Sequence, residues 1–370
     1  MPEVLLISKP IAPPWTDSNK NLVRDLAGAM TRWSPTVMTP AGVALPGVSS
    51  EGIYPDVGRY APSRLANARV LGRLLTGSRK DLWHFFFSPN PLTLRAGRVA
   101  AALRRVPTVH TVASAPDDLE RVARFLFADR VVALSEHTAR RLRACGVDAT
   151  VILPAQAPVH VDPDAVARAR AEHRLPETYV LYPGDLEFSD GAATFLDAAC
   201  RGVKGVGFVV ASRPKTPRAK ESAAALERDA RARGASLVML GELRDIHAVV
   251  AGALCTALVV NTLHAKMDLP LVLLESLLLG VPVMVGAGTP AETLGESGGA
   301  EVLPTGDGAA LAARITALRD DSDRRAAMAA SGARWVRQHC APSTVAGRYE
   351  SLYDSLRADR GNVAAAAVPR

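Results

Sequence analysis

The sequence predicts an α/β protein of two domains, each a parallel sheet wrapped by helices. Short apolar or β-branched runs alternate with longer amphipathic stretches from end to end, the pattern of repeated βαβ units. At 370 residues and 48% hydrophobic content, the chain exceeds one typical domain and can fill two cores. About twelve strand runs can be read, and two sheets of about six suit them better than one of twelve.

Strands are expected at 4–8, 36–40, 81–87, 108–112, 130–135 and 150–154 in the first half. The second half offers 179–184, 205–212, 237–241, 257–262, 281–286 and 300–304. Helical periodicity marks 18–33, 91–105, 117–128, 135–146, 190–202 and 307–319 between them. Residues 155–164 are Pro-rich and aperiodic, so they read as the linker. This gives domains at 1–160 and 161–340. From Ser331 to about Ala358 the pattern is helical with no strand after it, which suggests closing helices, with 341–358 returning to the first domain. Residues 359–370, including four alanines in a row, read as a frayed tail.

The most informative stretch runs from Lys266 through Leu-Pro-Leu-Val-Leu-Leu-Glu-Ser-Leu-Leu-Leu-Gly to Val283. It predicts a short, almost wholly apolar helix opened by Pro270, closed by Gly280 and followed by a buried strand. Glu275 is its one carboxylate, and a buried carboxylate needs partners: backbone amides, a basic neighbour or a ligand.

Composition excludes several classes. No apolar run reaches the ~20 residues of a membrane span. The N-terminus has no basic flank before its apolar run and reads as a strand rather than a signal peptide. Cys145, Cys200, Cys255 and Cys340 lie far apart without metal-ligand spacing, so a reduced, cytoplasmic setting and no metal or cofactor are expected. The net charge of +7 is spread without basic blocks, and with 5% aromatics no nucleic-acid motif is present. Basic helices such as 95–105 suit contact with the inner face of a membrane, though nothing demands it.

Ligands of open α/β sheets bind beyond the carboxyl ends of the strands. After 179–184 comes Gly184-Asp185-Leu186-Glu187-Phe188-Ser189-Asp190-Gly191. A glycine turn there can cradle a phosphate, although a plain cap by Ser189 or Asp190 explains it equally, and three carboxylates repel a diphosphate. After 205–212, the basic loop Arg213-Pro214-Lys215-Thr216-Pro217-Arg218-Ala219-Lys220 can bind one. In the first half, Asp17, Ser18, Asn19 and Lys20 open a helix after a proline-stiffened loop, with Asp17 or Ser18 as its cap. His84 and His110 lie in or at the ends of strands. No catalytic triad, P-loop or metal cluster is present.

Several segments resemble, in order, the retaining GT-B glycosyltransferases of family 4. They are Asp81-Leu82-Trp83-His84, Val106-Pro107-Thr108-Val109-His110-Thr111-Val112, Val132-Ala133-Leu134-Ser135-Glu136-His137, Leu181-Tyr182-Pro183-Gly184-Asp185, Leu240-Gly241-Glu242-Leu243 and the stretch from Asp268 to Val285. The run from Pro290-Ala291-Glu292 through Pro304-Thr305-Gly306-Asp307 to Tyr353 also looks like that family.

The resemblance implies two Rossmann-like domains facing a cleft, with a nucleotide-sugar donor in the second and a glycan, lipid-linked or small-molecule acceptor in the first. It also implies that Glu275 accepts the ribose hydroxyls, that the N–H groups near Leu271 and Val272 face the diphosphate, and that His110 lies near the transferred sugar. Three departures stand out. Met267 replaces a sugar-contacting glutamate, leaving Asp268 either to take over or to cap the helix. Asp185 and Asp190 stand where the family carries Arg and Lys, so Arg213, Lys215 or Lys220 must neutralise the diphosphate. Ser18-Asn19 replaces a Gly-Gly pair. The expected activity is retaining sugar transfer in bacterial glycan, glycolipid or secondary-metabolite synthesis. A GT-B-shaped binding protein and a nucleotide-sugar epimerase are the alternatives.

Overall fold

The computed structural model describes residues 1–55, 63–187, 189–214, 216–243, 245–263 and 266–366, the last six by backbone alone. Two compact units form, Met1–Ala157 with His339–Arg370, and Pro158–Gln338.

The first unit holds a seven-stranded parallel sheet of β1 (Glu3–Ile7), β2 (Ser34–Pro40), β3 (Ser49–Tyr54), β4 (Leu82–Phe86), β5 (Thr108–Val112), β6 (Arg130–Ala133) and β7 (Ala149–Val151). Its order, β3-β2-β1-β4-β5-β6-β7, reverses direction between β1 and β4. The helices are α1 (Ser18–Ala29), α2 (Arg64–Thr76), α3 (Pro91–Arg104), α4 (Leu119–Ala123) and α5 (Glu136–Ala144). β4 and β5 are buried along their whole length, as central parallel strands covered on both faces must be.

Sequence reading missed β3 and α2. Residues of β3, SSEGIY, are mostly polar and half-exposed because β3 is the sheet edge. The helix expected at 117–128 shortens to α4, with turns following to Leu126.

In the second unit come α6 (Pro163–Glu172), β8 (Tyr179–Tyr182), α7 (Gly191–Arg201), β9 (Gly207–Ala211), α8 (Pro217–Ala232), β10 (Leu237–Leu240), α9 (Ile246–Ala251) and β11 (Cys255–Leu258). Then follow α10 (Leu271–Leu278), β12 (Val283–Gly286), a 3₁₀ segment (Pro290–Ser297), β13 (Ala300–Leu303), α11 (Gly308–Asp320) and α12 (Ser322–His339). The six strands are parallel in the order β10-β9-β8-β11-β12-β13, again a doubly wound sheet with one reversal.

Finally α13 (Pro342–Ala366) belongs to the first unit. Glu350 Oε1 accepts the backbone N–H groups of Thr31 (2.8 Å), Arg32 (2.6 Å) and Trp33 (3.0 Å), while Asp354 accepts from the Trp33 indole at 2.8 Å. α13 continues through Ala366, into the residues read as a frayed tail from 359, and 367–370 lie outside the described residues. Asp359 pairs with Arg130 at 2.6 Å and Arg360 with Asp129 at 2.9 Å, both on the part of the helix past Ala358.

Candidate active site

In the second unit the sheet reverses between β8 and β11, and the loops leaving these strands meet there. Gly191 opens α7 against the exit of β11; a Cβ at this position would stand 2.6 Å from Val260 Cγ1, so only glycine lets the helix start so close. Asp190 is the α7 cap residue, but its carboxylate does not cap. Oδ1 accepts the N–H groups of Asn261 (2.8 Å) and Thr262 (3.1 Å), tying the two loops together. Ser189 Oγ accepts the Gly191 N–H at 3.3 Å.

Each of the three carboxylates of the acidic loop has a partner, and one of them, Asp185, has a cationic one. Besides Asp190, Glu187 accepts the Thr216 hydroxyl. Asp185 accepts the Glu187 N–H at 2.8 Å and holds Lys266 Nζ at 2.6 Å, with both side chains mostly buried. Lys266 therefore brings a cation to the place where the family's Arg and Lys were missing. The sequence carried it in plain view before α10. Only the fold shows that Asp185, some eighty residues earlier, fixes it at the sheet reversal.

α10 begins as expected. Its N-cap is Pro270, which offers no side-chain acceptor, and its first turn presents the N–H groups of Leu271 and Val272. Gly280 follows the helix with φ +74°, a left-handed exit suited to glycine. Ser276 is satisfied internally, by Val272 O at 2.7 Å and Thr256 Oγ1 at 3.0 Å.

Glu275, 13% exposed, takes the basic-neighbour option: its Oε2 lies 3.4 Å from His247 Nε2 on α9. Asp245 starts α9 by accepting the N–H groups of His247 and Ala248. This histidine escaped sequence reading, since nothing local links it to a glutamate in another helix.

The hydrogen bond to Glu275 raises the His247 pKa, against the lowering effect of burial. A raised histidine pKa stabilises the fold fully below about 6.5, and that contribution fades as pH rises through the folded value. With His247 about one-third exposed, the effect stays under about 1 kcal/mol. In urea melts, the stability gap between the wild type and His247→Gln should be present at pH 6 and shrink by pH 8.5. A gap that widens with pH contradicts the pair.

Arg213 leaves the end of β9 half-buried, and its Nη1 lies 3.7 Å from Glu242 Oε1 at the end of β10. Lys215 lies outside the described residues. Lys220 was read as part of a loop; Thr216 caps α8 and Pro217 starts it, so Lys220 is an exposed helical residue. No described contact joins it to Arg213 or Glu275. Met267 and Asp268 are both buried, and Asp268 makes interactions of its own.

At the reversal of the first sheet, Asp17 is the α1 cap, accepting the N–H groups of Asn19 and Lys20 and pairing with Lys9 at 2.7 Å. Asn19 Nδ2 reaches the carbonyl of Phe86 at 3.5 Å, leaving its buried Oδ1 without a partner. Lys20 Nζ donates to the carbonyl of Ala12 at 3.1 Å, and Ser18 is the first residue of α1.

His110 is 0% exposed. Its Nε2 donates to the Phe87 carbonyl at 3.0 Å and its Nδ1 has no partner. Burial pushes its pKa down to about 4, so the ring is neutral, and Nδ1 is an acceptor. Phe85 and Phe87 pack their rings against His110, which has no exposed surface. His84 is structural, bonded to Tyr353 Oη at 2.5 Å and Thr111 Oγ1 at 2.7 Å.

The whole chain is similar in fold to solved glycosyltransferases. HepE from Anabaena, in complex with UDP and glucose, superposes with TM-score 0.76 at 18% identity, covering 96% of this chain and 100% of that one. Sucrose-phosphate synthase from Thermosynechococcus elongatus gives 0.75 at 18% identity over 97% and 100%. Trehalose-6-phosphate synthase OtsA gives 0.71 at 11% identity over 96% and 99%. The fold is thus that of the GT-B proteins, two parallel-sheet α/β domains in one chain. Residues 20–155 match the model of Glycosyltransferase Family 4, and residues 177–321 that of Glycosyl transferases group 1. The protein is a glycosyltransferase of the GT-B type. No curated protein matches it by sequence.

Proposed function

We propose that this glycosyltransferase moves a sugar from a nucleoside diphosphate donor, bound by the second unit, to an acceptor hydroxyl bound by the first, with retention at the anomeric carbon. The observation that carries this reading is the gathering of complementary groups around the β8–β11 reversal and α10. Glu275 supplies a carboxylate for ribose hydroxyls, held in place by His247. Lys266 supplies a cation on Asp185, and the first-turn N–H groups of Leu271 and Val272 add donors for a diphosphate. Arg213 is the further cation on this side.

In this reading catalysis consists of positioning and of stabilising charge on the departing diphosphate. Retention follows if the acceptor attacks from the face the diphosphate leaves, its proton passing to a leaving phosphate oxygen, so that no strong protein base is needed.

Structures of HepE hold UDP and UDP-glucose, so uridine nucleotides are the first donors to try. Calorimetric titration of UDP should show affinity falling about tenfold or more in Glu275→Ala, as expected for losing a charged hydrogen-bond acceptor, with the melting temperature nearly unchanged. Equal affinity for both proteins removes Glu275 from the donor site.

A further inference from the structure

We infer that the outer face of α3 in the first unit is a docking surface for an anionic lipid bilayer. α3 buries one side, through Leu94, Gly97, Ala100 and Ala101. On the other side Leu92, Val99 and Leu103 are 78%, 58% and 70% exposed. At 3.6 residues per turn these three fall within about 40° of one another, so they form a single apolar stripe turned away from the core. A solvated helix normally carries its charges there.

The flank of the stripe is basic. Arg95 and Arg98 are exposed beside it, and Arg105 follows the helix. Arg95 and Arg124 both lie over the Phe125 ring at 4.9 Å, which brings Arg124 alongside. Neither α3 nor α2, packed beside it, contains an aspartate or glutamate. α2 itself carries the exposed Leu65, Arg64 and Arg69.

Aliphatic side chains flanked by arginines match a bilayer interface, where apolar groups enter the acyl boundary and cations meet phosphates. A second copy of the same face would set arginine against arginine. Nucleic acid would gain nothing from exposed leucines and finds few aromatics to stack on. Among the described residues no helix is long and apolar enough to cross a membrane, so this contact is one that lies on the surface.

The test is flotation of the full chain with vesicles of phosphatidylcholine alone or mixed with phosphatidylglycerol, over a range of salt. The wild type should float with the mixed vesicles, less so at high salt, and not with phosphatidylcholine alone. Arg95→Gln/Arg98→Gln should weaken partitioning roughly 30-fold, taking the usual contribution of each basic residue at a charged membrane. Val99→Glu/Leu103→Glu should weaken it more than about tenfold, with melting temperatures unchanged because both side chains are exposed.

Arg218→Gln/Arg228→Gln, the same charge loss on exposed positions of α8, should float like the wild type. The proposal is overturned if the wild type does not float, if the α3 variants float equally well, or if the α8 variant loses as much. It is also overturned if Val99→Glu/Leu103→Glu abolishes a dimer in solution and has no effect on vesicles. UDP binding measured on the same preparations separates failure of this surface from failure of the sugar-transfer reading.

Discussion

Lys266→Ala is expected to lower kcat/KM for the nucleotide-sugar by ~10²–10³-fold, the usual cost of removing one preorganised group that meets developing charge. The ammonium is held at 2.6 Å by Asp185, and both side chains are mostly buried, where a charge interaction is stronger than in water. An ammonium has three donors, so it can keep Asp185 and still reach a phosphate. Removing it does double damage. The cation is lost, and Asp185 becomes a less balanced carboxylate at the proposed donor site. The loss should fall mainly on kcat, because charge on the diphosphate grows as the sugar departs. Asp185→Asn keeps the cation and loses only its anchor, so its effect should be smaller. Steady-state kinetics with a UDP-sugar check both variants. An unchanged kcat/KM in Lys266→Ala would leave the pair as a loop fastener only.

The second large effect is on stability. Glu350→Ala should destabilise the first unit by about 3 kcal/mol or more, since it removes a charged acceptor that takes several backbone donors. Its Oε1 accepts three consecutive N–H groups, of Thr31, Arg32 and Trp33, in the passage from α1 to β2. The carboxylate is 2% exposed, so water cannot readily take its place. Glu350→Gln retains an acceptor oxygen and should cost less. Denaturant unfolding measures both. A loss under 1 kcal/mol for the alanine variant would mean that α13 is held by other contacts, such as the tyrosine hydroxyls at His84 and Thr111.

Much of the fold was legible because the central strands are apolar runs and the helices between them keep their period. β8, β9, β11 and β12 fall within or close to the segments where the sequence predicts them. Two of the misses share a cause. β3 is a polar edge strand, and the start of α8 is dense with charge, so neither shows its element in local hydrophobicity.

The site was legible in its helix and not in its pairings. Glu275 stood out as one carboxylate in an apolar run, and Asp17 as a cap. His247 with Glu275, and Asp185 with Lys266, become pairs only when segments distant in sequence meet in the fold. The β8–β11 reversal also gives each carboxylate of the acidic loop a partner that the sequence does not show. Asp190 serves backbone amides, Glu187 a hydroxyl and Asp185 a lysine.

The central claim is retaining sugar transfer, and one assay meets it directly. The protein is incubated with UDP-sugars, alone and with a panel of sugar and glycolipid acceptors, and the mixtures are read by mass spectrometry and proton NMR. The account predicts release of UDP only when acceptor is present, a product heavier by one sugar residue, and an anomeric coupling constant matching the donor's. Conversion of donor to an isomer without acceptor, or a product with inverted anomeric configuration, would contradict it.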